Sequence, residues 1–158
     1  MLYASADQRV LGYLGRALSL ELSAVQMYST QARLVATWGL TEAAERLSTE
    51  ASEEMAHADR IIARMIALGV APNASQLRPV RLGHSLQELL QHNHAFENEL
   101  IRLYTEATRH CASNGDHDNR VFFEILLAEE QAHAQHLVVW LKEWQQPGVP
   151  VVETRATF

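Results

Sequence analysis

Cysteine is nearly missing. Cys111 is the only one in 158 residues, so no disulfide within the chain, no CxxC zinc or redox pair and no four-thiolate iron site can form, and a reducing cytoplasm is the expected compartment. Long hydrophobic runs are also absent. Near the N-terminus Asp7, Arg9, Arg16 and Glu21 interrupt every apolar stretch, leaving neither a signal-peptide core nor a membrane-spanning helix. Positive charge is in deficit, with 13 Lys and Arg against 19 Asp and Glu, a net charge of −6 and no basic block. That balance gives no electrostatic grip on nucleic acid or an anionic membrane, and it favours small cations. The polar bias of a disordered chain is lacking as well: 47% of residues are hydrophobic and 20% charged, which suits one domain with a buried core.

What the sequence does have is helical periodicity. Four segments repeat apolar residues at three- and four-residue steps, an all-α pattern. The first is expected from Ser5, with Gln8 completing a capping box, to Trp38 and Gly39, its stripe running through Leu14, Leu18, Glu21, Val25, Tyr28, Ala32 and Val35. The second is expected to start with Thr41 as N-cap and pass Leu47, Glu50, Glu54, His57, Ile61 and Ala67 before Gly69 and Pro72 stop it. The third opens at Ser85 with Glu88 as its capping partner and carries Leu90, Glu97, Ile101, Tyr104 and Thr108. After a turn at Asn114–Asp116, the fourth begins near Asp118 and carries Phe123, Leu126, Glu130, His133, Leu137, Trp140 and Trp144 until Pro147 and Gly148. Short 1–2 and 3–4 connections predict two antiparallel hairpins. The stretch from Val70 to His84 is long enough to cross the length of a bundle.

Each stripe holds a carboxylate where a leucine belongs, and in two stripes a histidine follows three residues later on the same face. The six residues Glu21, Glu54, His57, Glu97, Glu130 and His133 map onto one another by a shift of 76. Tyr28 and Tyr104, Arg33 and Arg109, Glu53 and Glu129 obey the same shift, and EEMAHA from Glu53 matches EEQAHA from Glu129, so the chain reads as two repeated hairpins. Folded together, the halves bring four carboxylates and two imidazoles to one level of the core. Buried there without countercharge, carboxylates cost several kcal/mol each. Two divalent cations supply the countercharge, and a donor set with one Glu from each of two helices and Glu-x-x-His from each of the other two is that of ferritin-like di-iron sites. Oxygen and imidazole ligands without thiolate suit iron or manganese and by affinity order can also hold zinc, with iron the expected metal. Tyr28, two turns beyond Glu21, is placed to hydrogen-bond a metal-bound group, to donate an electron, or to be a plain core tyrosine. His84, His92, His94, His110, His117 and His136 have no repeated partner and are expected on the surface or in loops.

Over nearly the whole chain up to Trp144 the sequence resembles the bacterioferritins, through ALSLELSAVQMY, TWGL, EASEEMAHADRIIARMI, APN and EILLAEEQAH. The resemblance implies a ferritin-like antiparallel four-helix bundle over residues 1–146. Its ferroxidase centre would be made by Glu21, Glu54, His57, Glu97, Glu130 and His133, with Glu21 and Glu97 terminal and Glu54 and Glu130 bridging. It implies Met55 as the axial ligand of a haem b shared between two subunits. The sequence itself points Met55, next to Glu54, about 100° away from the core stripe. The family usually has a fifth helix at a four-fold axis; here PGVPVVETRATF predicts a non-helical tail over 147–158 and leaves open a 24-mer, a dodecamer or a shell with altered channels, built from two-fold dimers. The family also often carries a histidine and an aspartate as an iron relay where this chain has Thr49 and Glu53, which implies that the relay is lacking.

The expected function is therefore oxidation of Fe²⁺ by O₂ or H₂O₂ at a site within each subunit, followed by storage of ferric mineral in a cytoplasmic homo-oligomeric shell. The alternatives are a di-iron oxidase or peroxidase that stores nothing, and a miniferritin-like or purely structural bundle. Absence of a CxxC domain counts against a rubrerythrin.

Overall fold

The computed structural model describes residues 7–73 and 75–144. Four helices account for most of them: α1 (Gln8–Thr37), α2 (Thr41–Ala67), α3 (Leu86–Ser113) and α4 (His117–Trp144), of 30, 27, 28 and 28 residues. None is long and apolar enough to cross a membrane. At 1.5 Å per residue these are rods of about 40–45 Å. The two short turns are built alike. At Gly39 (φ 79°) and Gly115 (φ 66°), themselves 76 residues apart, the backbone enters the left-handed region that a Cβ disfavours. The following residue bonds back across the turn, Leu40 N to Val35 O at 3.1 Å and Asp116 N to Cys111 O at 2.9 Å, which closes each helix with a Schellman motif.

Helix α1 packs along α2, α3 along α4, and α1 beside α3. Arg60–Glu129 and Arg64–Asn119 hydrogen bonds link α2 to α4. The connection from Leu68 to Ser85 carries no helix among its described residues and returns the chain to the end where α2 began, so that Leu86 lies beside Gly39 and Thr41. This long crossover is fastened to α1 and α3. Ser19 and Ser23 of α1 accept the backbone N–H groups of Gln76 (3.2 Å) and Arg78 (3.0 Å), while the Arg78 guanidinium bonds Glu99 and covers Phe96. Replacing the buried Ser23 by alanine is expected to lower stability by about 1 kcal/mol, measured by urea unfolding, because that latch loses its acceptor.

The apolar core runs the length of the bundle, from Tyr13, Leu14 and Leu18 through Leu47, Ile61, Leu90 and Leu100 to Phe123, Leu126 and Leu137. In its interior Gln31 and Asn93 exchange two hydrogen bonds at 2.7–2.8 Å and fix α1 against α3.

Several boundaries and faces differ from expectation. Ser5 lies outside the described residues, and Asp7 caps α1 by accepting Arg9 N at 2.8 Å. Thr41 is the first residue of α2 and not its cap; Leu40 fills that place with no side-chain bond, since the Gly39 turn leaves only three residues between helices. Helix α4 starts one residue before Asp118, and Asp116 caps it through Asn119. Val25 and Ile101 are half-buried and Ala67 is exposed, so their stripes are narrower than the periodicity suggests. His110 is no free surface residue: it leans on the Tyr13 ring and meets Asp7 at 2.6 Å. The expected tail over 147–158, and with it the missing fifth helix, lies outside the described residues.

Candidate metal centre

Near the middle of the bundle all four helices present acid inward. Glu21 of α1, Glu54 of α2, Glu97 of α3 and Glu130 of α4 are wholly buried, and His57 and His133 lie one turn further along α2 and α4. They form two overlapping groups, Glu21–Glu54–His57–Glu130 and Glu54–Glu97–Glu130–His133, each with its donor atoms within 4.8 Å of one another. Glu54 and Glu130 belong to both. The crosswise contacts obey the 76-residue shift, for His57 Nδ1 lies 2.7 Å from Glu130 Oε1 and His133 Nδ1 lies 2.7 Å from Glu54 Oε1, with the rings stacked at 5.7 Å.

Close approach here is not hydrogen bonding. Glu21 Oε2, Glu97 Oε2, both oxygens of Glu54 and of Glu130, and Nδ1 of both histidines are buried without a hydrogen-bond partner. Such atoms are normally satisfied, and together they converge on one small space. The atoms facing away are partnered. Tyr28 donates to Glu97 Oε1 and Tyr104 to Glu21 Oε1 (2.6 Å), while His133 Nε2 meets Glu53 at 2.6 Å and His57 Nε2 meets Glu129 at 3.2 Å. Binding of the outer nitrogen to a carboxylate fixes the proton on Nε2 and turns Nδ1 inward as a ligand. The residues present therefore fit two divalent cations.

Electrostatics give the same reading. Burial pushes Glu54 up to about 8 and Glu97 well above the usual carboxylate range, and it raises Glu130 too. For Glu21 burial is outweighed by the close approach of Glu54 and His57 and by the Tyr104 hydroxyl, which leave its carboxyl lowered. Burial would lower both imidazoles, but the carboxylates overcome it and push His57 and His133 up to about 12. The cluster gathers protons for want of other positive charge, and cations can take their place.

Every core ligand expected from the sequence arrives at the centre. Tyr28 does so as the hydrogen-bond donor to Glu97. Met55 sits apart on the outer side of α2, 45% exposed. Glu53 and Glu129, which the sequence marked as repeat partners but not as supports of the ligands, hold the histidines. Tyr104 does for Glu21 what Tyr28 does for Glu97. Thr49 is exposed and bonds only its own helix. Glu50 is mostly buried, and burial pushes its carboxyl up to about 7.

Fold and donor set define a ferritin-like protein with a buried di-iron centre, and residues 11–146 match the family model for the ferritin-like domain. The chain is 37% identical to the bacterioferritin of Rhodobacter capsulatus, covering 90% of this chain and 88% of the relative, and 35% identical to that of Brucella melitensis, covering 83% and 81%. It belongs to the bacterioferritin family, and its buried Glu/His cluster is a di-iron ferroxidase centre. The bundle superimposes on the solved R. capsulatus bacterioferritin with a TM-score of 0.84 at 36% identity over 89% of this chain and 88% of that one. That structure has a metal-free dinuclear site and a haem iron in a crystallographic special position.

Proposed function

We propose that this chain oxidises Fe²⁺ at the six-residue centre and stores the ferric product as mineral inside a cytoplasmic shell made of copies of itself. The observation that carries the reading is the convergence of unpartnered carboxylate oxygens and imidazole nitrogens, drawn from all four helices, on one buried space. Glu54 and Glu130, each in both donor groups, would be shared between two ions; Glu21 with His57 would complete one position, and Glu97 with His133 the other. Two ferrous ions held side by side can give two electrons to one molecule of O₂ or H₂O₂. The protein supplies placement. Tyr28 and Tyr104 fix the terminal carboxylates, Glu53 and Glu129 fix the imidazoles, and the apolar core above and below keeps bulk water out.

The shell follows the family. Light scattering or native mass spectrometry of the purified protein is expected to give a closed particle of 24 or 12 chains, and a monomer would refute storage. Met55, exposed on α2 and pointing out of the bundle, would hold the iron of a haem b between two copies, since paired thioethers are soft donors for haem iron. Met55→Leu is expected to remove the haem absorbance while leaving ferrous oxidation intact. Retention of haem by that variant would release Met55 from the role.

A further inference from the structure

The repeat that builds the centre breaks down just outside it, in two places, and both put extra negative charge on the same side. Beyond His57, the Glu129 carboxylate receives the Arg60 guanidinium at 2.6 Å as well as the imidazole at 3.2 Å, so its charge is matched. Beyond His133, Glu53 receives the imidazole at 2.6 Å, and among the described residues no guanidinium or ammonium joins it. The reason is in the sequence, where the residue 76 positions after Arg60 is His136. The second break is Glu50, one turn before Glu54. Its Oε2 is buried and unpartnered, and His133, Glu97 and Glu53 are the groups of the centre whose charges act on it. Its counterpart in the other half is Leu126, fully buried and apolar. Arg46, the cation that acts on Glu50, is engaged over the Trp140 ring at 3.8 Å.

We propose that the two ion positions are unequal: the Glu97–His133 position holds a divalent cation more tightly, Glu53 and Glu50 supply the difference, and Arg60 is a positioning residue that withholds it from the Glu21–His57 position. This rests on the dinuclear reading of the cluster. An unmatched carboxylate on the outer nitrogen strengthens an imidazole as a donor and adds attraction for a cation, whereas one already paired with a guanidinium adds little of either. Firmer orientation through Arg60 favours the other position, but both rings are already nearly enclosed, with side chains 6% and 11% exposed. Orientation thus differs little between them, and charge decides.

Zn²⁺, which is redox-inert, is the probe. The metal-free full-length protein is titrated by calorimetry, and crystals grown with one Zn²⁺ per chain are read by anomalous scattering. Two binding steps separated by about tenfold or more are expected, with the first ion at Glu97–His133. Arg60→Gln is expected to raise the weaker constant about tenfold, and His136→Arg and Glu53→Gln to lower the tighter one by a similar factor. A variant that merely loosens the fold would weaken both steps, so the opposite signs separate charge from damage. Equal constants in the unaltered protein, a first ion at Glu21–His57, or an Arg60→Gln variant with a weaker second step would overturn the proposal and leave the dinuclear reading standing. No Zn²⁺ bound at either position would overturn that reading itself.

Discussion

Glu130→Gln should abolish the fast phase of ferrous oxidation when metal-free protein is mixed with Fe²⁺ and O₂ in a stopped-flow instrument, with a fall of about 100-fold or more. Glu130 is one of two carboxylates common to both donor groups, so the amide weakens both positions at once and removes a full negative charge from between the ions. Glutamine has the same shape, and the helix content by circular dichroism should not change. Glu106→Gln, on the outer surface where Glu106 meets only Tyr13 and Arg9, serves as the control and should oxidise at the parent rate. Equal rates in the two variants would place the chemistry elsewhere.

The second large effect is a fall of metal-free stability with rising pH that added metal counteracts. In the metal-free protein His57 and His133 bind protons up to about pH 12 and Glu54 up to about 8, against ordinary values of 6.5 and 4.5 in the unfolded chain. The folded state thus holds more protons than the unfolded one across neutral pH, and stability must fall as pH rises. The histidine contribution is fully present below 6.5 and is lost progressively toward 12; that of Glu54 is present below 4.5 and lost through 8. Glu21, whose carboxyl is lowered, has the opposite sign but acts only on the acid side of 4.5. Between pH 6 and 9 the melting temperature in EDTA should therefore drop by several degrees. With Zn²⁺ at a hundred times its dissociation constant, binding adds about 2.7 kcal/mol, roughly 10 °C in a domain of this size, and the gain grows with pH as cations displace protons. A melting temperature that rises with pH in EDTA would show that the carboxylates, not the imidazoles, dominate the metal-free state.

Much of this centre could be read from the sequence because a buried carboxylate in a leucine stripe breaks a strong pattern, and four of them, with two histidines, do so under one shift. Glu21 and Glu97 alone would pass for misplaced surface residues; in register with two Glu-x-x-His pairs they do not. The long crossover was equally plain from the spacing of Gly69, Pro72 and Ser85. The residues around the ligands were harder to see. Glu53, Glu129 and Arg60 stand partly in solvent, where charged residues are the rule and carry no signal, and only the folded pairing of α2 with α4 reveals what they touch. Thr41 misled for a local reason, since a threonine before a helical run reads as a cap, whereas the Schellman turn at Gly39 had already closed the gap. Val25 and Ile101 misled through geometry: periodicity gives the direction of a side chain but not how much of it a neighbouring helix covers.

Each donor group takes its members from three helices, and neither hairpin owns a complete set. While the chain is being synthesised, the first hairpin emerges with three ligands and no means of enclosing an ion, so nascent protein offers iron no firm hold. Capture has to wait until both halves are made and docked. Loading therefore begins only with finished, docked molecules.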